Sequence, residues 1–465
     1  MLTPIAVKRK LPTLAITFIL IIISISAFAQ KPNSYSYPIS PVTATYGTAV
    51  TITPSRGGGS SATSFAISPT TLPAGLSFSN TTGVISGTPT VPAAQVTYTV
   101  TPTNASGNGN TFQVKITIAK ANLTITANDI NKTYGTAITS PGAGSTAFTT
   151  TGLVAGDAVS SVSIAYGTGS TATSNAGTYT SQVTPSAAVG TNLGNYNISY
   201  TKGSIIVNQA TLTVTANNQS RTYGANNPTF TLTYSGFVNG ETTSVINTAP
   251  TGSTTATTSS PVGTYAINAS GGSDNNYTFS YIAGTLTITQ ANLVITANNS
   301  SKTYGTALAN PVSGSSAFTS TGLRTGESIT VTLSYSAGAA ANDPAGTTGT
   351  ITPSAATGGG TFNTSNYNIS YNTGTLTVTT ASLTISANNV SHVYGTTITS
   401  PGAGSTAFTS TGLKNGESIG SVTITYGTGA TATSGAGTYN NQTLIASATG
   451  GTFNSANYSI IYDPG

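Results

Sequence analysis

The sequence predicts an all-β chain, a tandem array of small sandwich or β-grasp-like modules joined by very short linkers. Three observations predict it. Val, Ile, Leu and Tyr recur at alternate positions with Thr and Ser between them, the pattern of half-buried strands. One passage is written four times, beginning "ANLTITAN" at Ala121, "ATLTVTAN" at Ala210, "ANLVITAN" at Ala291 and "ASLTISAN" at Ala381, in steps of 89, 81 and 90 residues. At each junction the apolar set also changes parity, as from Leu286 and Ile288 to Leu293 and Ile295. Side chains alternate faces along a strand, so a parity change turns the buried face over. The last strand of one module is therefore expected to face its own core, and the first strand of the next a different one. Only 5% of the 465 residues are charged. Such polar, low-complexity composition otherwise suggests disorder, and the regular alternation argues against that.

From the N-terminus, Lys8, Arg9 and Lys10 precede the apolar run "LPTLAITFILIIISISAFA", and Ala27 with Ala29 forms an A-x-A site. Residues 1–29 read as a secretory signal peptide, the alternative being an uncleaved anchor of nearly spanning length. Its loss takes three of the 13 basic residues and leaves ten against eight acidic ones, a net charge of about +2 with no basic cluster. A nucleic-acid partner is therefore not expected, and contact with a membrane is expected only through the signal peptide. Cysteine is absent, but modules of this size fold on a core without disulfides.

Residues 36–119 form a distinct unit containing "LPAGLSFSNTTGVISGTPT". This stretch resembles the immunoglobulin-like (He_PIG type) domains of bacterial surface proteins, which implies a β-sandwich. Downstream, modules are expected at 120–208, 209–289, 290–379 and 380–465. Each carries "KTYG", "RTYG", "KTYG" or "HVYG" near its start and "NYNISY", "NYTFSY", "NYNISY" or "NYSIIY" near its end. With "GLVAGD", "GFVNGE", "GLRTGE" and "GLKNGE" between, the four copies resemble the MBG (YGX-type) and YDG repeats of adhesin-like bacterial proteins. Residues 210–289 are nearer the MBG form and the others nearer the YDG form. The resemblance implies a secreted or cell-surface bacterial protein used for adhesion or as a spacer. The repeated motif residues are Tyr134 and Gly135, Tyr223 and Gly224, Tyr304 and Gly305, and Tyr394 and Gly395. The fourth copy closes on "NYSIIYDPG", where "TLTVT" should follow, so its last strand is expected to be missing. That reads as a fragment of a longer protein or a truncated reading frame, the alternative being an exposed sheet edge.

Chemistry-bearing residues are sparse. His392 is the only histidine and occupies the position of Lys132, Arg221 and Lys302 in the other copies. With no cysteine there is no Ser/His or Cys/His arrangement, and no catalytic residue or enzyme activity is expected. Each copy pairs that position with an acidic residue in its "GLxxGE" segment: Lys132 with Asp157, Arg221 with Glu241, Lys302 with Glu327, and His392 with Glu417. Ion pairs are expected, either exposed or partly buried. A lysine isopeptide crosslink is excluded as a general device by Arg221 and His392. The acidic residues are spread singly, so neither calcium nor another metal is expected, and "RGGGSS" and "TGGGTF" lack the G-K-[ST] of a phosphate loop. No cofactor is expected. The partner is an unidentified surface ligand, glycan or protein, and the array is expected to be monomeric. Glycan binding is the main alternative function: the chain has 23 tyrosines and no tryptophan. Tyr134, Tyr223, Tyr304 and Tyr394 sit at repeated strand positions, where packing is the expected role.

Overall fold

The computed structural model describes residues 30–465; the signal-peptide reading of residues 1–29 lies outside them. The chain divides into two compact units. One runs to Ala210 and takes in 238–240 and 275–277, and the other comprises the remainder.

In the second unit the third repeat shows the module complete. Its strands are β1 (Ala291–Ala297), β2 (Ser300–Thr303), β3 (Val312–Ser315), β4 (Phe318–Thr321), β5 (Ser328–Tyr335), β6 (Thr348–Gly359), β7 (Tyr367–Asn372) and β8 (Gly374–Thr379). They make two sheets, β4-β1-β7 and β2-β8-β6-β5-β3. Alternation sets the faces: Leu293 and Ile295 on β1 and Leu376 and Val378 on β8 are buried, while Val294 and Thr377 between them are more exposed. β7 lies parallel to β1, with Leu293 opposite Ile369. β8 is central in its sheet, parallel to β2 with Lys302 opposite Val378, and antiparallel to β6 with Gly349 opposite Leu376. Among the described residues the helical pieces are single 3-10 turns such as Thr364–Asn366. The "GLRTGE" segment is a turn without helix.

The parity change coincides with a change of sheet. Leu286 and Ile288 lie in a strand of the second repeat's sheet, whereas Leu293 and Ile295 lie in β1 of the third. The interiors are nonetheless not sealed from each other. Leu286 and Leu293 belong to one continuous apolar cluster, and Tyr304 and Val378 pack with Leu383 and Ile385 of the fourth repeat. This corrects the expectation of separate cores: the sheets are separate, but the seam itself is filled with aromatic side chains.

The second repeat has a four-stranded rather than five-stranded second sheet. In the fourth, the three-stranded sheet is complete, but the other holds only Gly402–Ser405, Ile419–Tyr426 and Thr443–Gly451. Gly465 stands opposite Thr443 with two backbone bonds of 3.0 Å, the place Gly374 holds opposite Ile351. The segments matching β2 and the first half of β6, residues 389–393 and 437–441, form no strand.

In the first unit, residues 30–119 fold as a five-stranded, a three-stranded and a two-stranded sheet, with Val100, Val114, Ile116 and Ile85 in the core. Val42–Thr45 lies parallel to Phe112–Ala119. The following repeat has the same two-sheet pairing as the third.

Candidate functional site at the module seams

Each "TYG" is the tight turn that follows β2 or its counterpart. The tyrosine amide donates to the end of the closing strand, as Tyr304 N does to Thr379 O at 2.9 Å. The ring is thereby aimed at the next module, and at three seams inside the units it meets a carboxylate. Tyr223 Oη donates to Glu327 Oε1 at 2.7 Å, while Tyr367 of Glu327's own module donates to Oε2 at 2.5 Å. Tyr304 and Tyr458 grip Glu417 in the same way, each at 2.5 Å. At the first seam Tyr46 and Tyr196 both donate to Asp157 Oδ2, at 2.7 and 2.5 Å, and Asn192 donates to Oδ1 at 2.7 Å. In each case the two rings meet edge to face, with centroids 5.4 to 5.6 Å apart, a favoured aromatic geometry.

Charge-assisted bonds of this kind are stronger than neutral ones, and they leave an electrostatic signature. Burial, with the bond to the carboxylate adding to it, pushes the Tyr196, Tyr367 and Tyr458 hydroxyls up to about 12. Burial also works to raise Asp157, but bonds from Tyr196, Asn192 and Tyr46 outweigh it and hold the carboxyl below its ordinary value. Further bonds close the seams. Val262 N donates to Asn366 Oδ1 and Ala345 N to Asn457 Oδ1, both at 3.0 Å, and both asparagines are buried. Arg324 lies over the Tyr223 ring at 5.7 Å.

The glycine of the turn admits the next module. A Cβ on Gly47 would lie 2.4 Å from Val154 Cγ2, and one on Gly305 would lie 2.4 Å from Lys414 Cγ; both glycines have positive φ, 71° and 87°. Tyr223, and the pair Tyr304 and Gly305, are thus docking elements, whereas a Cβ on Gly224 would make only ordinary contact with Arg324, at 3.6 Å; Tyr134 is buried in the first unit. Tyr394 differs: it is 68% exposed where Tyr304 is 4%, and no atom approaches Gly395.

Three of the expected ion pairs, Lys132 with Asp157, Lys302 with Glu327 and His392 with Glu417, give way to other partners. Lys132 Nζ donates to the carbonyls of Thr136, at 2.9 Å, and Thr171, at 2.5 Å; Lys302 donates to those of Thr306 and Ala340. Arg221 bonds Asn227 Oδ1 and the carbonyls of Thr222 and Thr257, and His392 Nε2 lies 2.6 Å from Gly429 O. These side chains point into their own modules and tie the turn to the loop between β5 and β6, whereas Asp157, Glu327 and Glu417 face the preceding module. Burial lowers the pKa of Lys132, Lys302 and Arg221. Among the described residues no group of three or more His, Asp or Glu could hold a metal.

Two parts of the seam were missed in the sequence. "TYGTA" at 45–49 is identical to 133–137, which marks a further turn of the same kind inside the upstream unit. The tyrosine of each "NY" was readable as the second grip only once its distance to the "GLxxGE" loop was known. Tyr200, Tyr371 and Tyr462 are occupied too: their hydroxyls accept from Ala188, Ala356 and Ala448 amides at 2.9 to 3.0 Å.

Four segments, 123–205, 212–287, 293–377 and 383–465, match the model of the MBG domain (YGX type). The chain belongs to the MBG domain family. Residues 30–119 match the model described as "Putative Ig domain", so an Ig-like module precedes four MBG modules. No curated protein matches the chain. Among solved structures it is similar to a protocadherin gammaB7 EC3-6 cis-dimer (10% identity, 75% of this chain and 100% of that one, TM-score 0.18). It is also similar to the TIE protein of Bacillus anthracis (9%, 72% of each chain, 0.20) and to Drosophila N-cadherin EC1-3 (11%, 55% and 99%, 0.20). Ig-like and MBG repeats are typical of extracellular proteins, and among the described residues no helix is long and apolar enough to cross a membrane.

Proposed function

We propose that the protein is a non-enzymatic, secreted or cell-surface bacterial protein that acts as an adhesin-like stalk or spacer. The observation that carries this reading is the seam: a carboxylate held by one tyrosine from each of two neighbouring modules, beside a glycine that at Gly47 and Gly305 leaves room for a side chain of the next module. Linkers of one residue, such as Gln290 between Thr289 and Ala291, plus a bonded, apolar-filled seam suppress hinge motion, which a spacer needs and a set of independent binding modules does not. The low charge and the Thr/Ser-rich surface support a passive exterior. The partner it would present is a surface ligand of unidentified class.

The absence of cysteine makes a direct test simple. Spin labels on Thr255→Cys and Thr425→Cys, in the second and fourth repeats, should give a narrow distance distribution in solution. A distribution as broad as that of flexibly linked domains would overturn the spacer reading. Saturable binding on a glycan array would replace it with a lectin-like one.

A further inference from the structure

In the first and third repeats the opening and closing stretches of chain lie side by side as one ribbon. In the third, β1 leads into β2 through Asn298 and Asn299, and β7 leads into β8 through Thr373. Ala291 to Thr296 lie parallel to Tyr367 to Asn372, and Ser300 to Thr303 parallel to Leu376 to Thr379, so the register is unbroken from one sheet to the other. The first repeat pairs Ala121 to Thr126 with Tyr196 to Thr201, and Ile130 to Thr133 with Ile205 to Asn208, in the same way. In the second, Gln219 to Thr222 run parallel to Leu286 to Thr289. A side chain bridges the bend between the sheets in all three: Asn299 Oδ1 accepts from Thr375 N at 2.8 Å, Asp129 Oδ1 from Ser204 N at 2.6 Å and Asn218 Oδ1 from Thr285 N at 2.8 Å. We propose that the protein bears tension along its chain, each of these modules acting as a clamp whose first and last strands are loaded in shear.

The load path follows from the connectivity. Gln290 alone joins Thr289 to Ala291, and Thr380 alone joins Thr379 to Ala381. Tension therefore enters the third repeat at the start of β1 and leaves it at the end of β8. In a parallel ribbon these two points are at opposite ends. Pulling them apart slides one stretch along the other, and the evenly spaced bonds of a parallel ladder are strained together instead of opening one after another. Neither β1 nor β8 is an edge strand that could be stripped away: β1 lies between β4 and β7, and β8 between β2 and β6. Where tension leaves, Tyr304 N donates to Thr379 O at 2.9 Å and Thr379 Oγ1 donates to Lys302 O at 3.2 Å, which closes the ribbon. Forced unfolding is governed by the barrier to unfolding, not by equilibrium stability, so a small domain of ordinary stability can resist load through this geometry. A spacer has only to resist bending at its seams. The ribbon is a separate property, held inside each module, and suits a tether that is pulled.

The test stretches the third repeat within the full chain by single-molecule force spectroscopy, with handles on cysteines placed at exposed positions of a protein that has no other cysteine. Gln290→Cys with Thr380→Cys loads the ribbon in shear, whereas Thr303→Cys with Thr380→Cys pulls β2 and β8 apart from one end. At one loading rate the first pair is expected to rupture at roughly three times the force of the second or more, because its ladder bonds are strained together. Equal rupture forces in the two directions would overturn the proposal. The spin-label measurement separates this from the spacer reading: flexible seams would overturn the spacer and leave the force ratio intact, and equal forces would overturn the clamp and leave the seams stiff.

Discussion

Tyr304→Phe and Glu417→Gln, made singly and together, probe whether the seam bond couples two modules. Phenylalanine keeps the ring that meets Tyr458 edge to face at 5.6 Å and removes only the hydroxyl that donates to Glu417. A hydrogen bond to a charged group contributes about 1.5 to 3 kcal/mol. Glu417 keeps Tyr458 on its other oxygen, so the loss is expected at the lower end. Glutamine keeps the shape and an acceptor oxygen but removes the charge that strengthens both bonds. Once the tyrosine hydroxyl is gone, neutralising the acid should cost less than in the parent, giving a coupling of about 1 to 2 kcal/mol in the double-mutant cycle. The assay is native-state hydrogen exchange at Leu383, Ile385, Val422 and Ile424, core positions of the fourth repeat. Tyr304 belongs to the preceding module, so an effect there is not expected from a purely local defect. Additivity within about 0.5 kcal/mol would refute the claim that the carboxylate ties the two modules.

Gly47→Ala tests the close approach at the first seam. It places a Cβ 2.4 Å from Val154 at a φ of 71°, and left-handed backbone plus overpacking should cost about 2 to 4 kcal/mol, read as a lower urea midpoint for the first repeat. Acid should open the same seam through Asp157. Its folded pKa is depressed, so its contribution is complete above the unfolded carboxyl value of about 3.9 and is lost as pH falls through the folded value. The urea midpoint of the parent should drop below about pH 4, and Asp157→Asn should remove that step.

Strand identity, the two-faced alternation and the module period were legible in the sequence because they are local: Leu293 and Ile295 face inward by the geometry of any pleated strand. The importance of the "TYG" and "GLxxGE" motifs was visible too, since four copies repeat them. Their partners were not. Lys302 and Glu327 stand 25 residues apart in one copy and suggested a pair, yet Lys302 reaches two carbonyls of its own module while Glu327 reaches Tyr223, 104 residues upstream. Spacing within a repeat is a property of one copy, so it carries no information about which neighbour a side chain meets. By itself, then, the sequence determined an all-β array and where each module begins its first strand, because alternation and repetition are properties of the chain alone. Only the tertiary structure decided what joins the modules. A seam is built from residues about a hundred positions apart, and their meeting depends on how a turn in one module is aimed at a loop in the next.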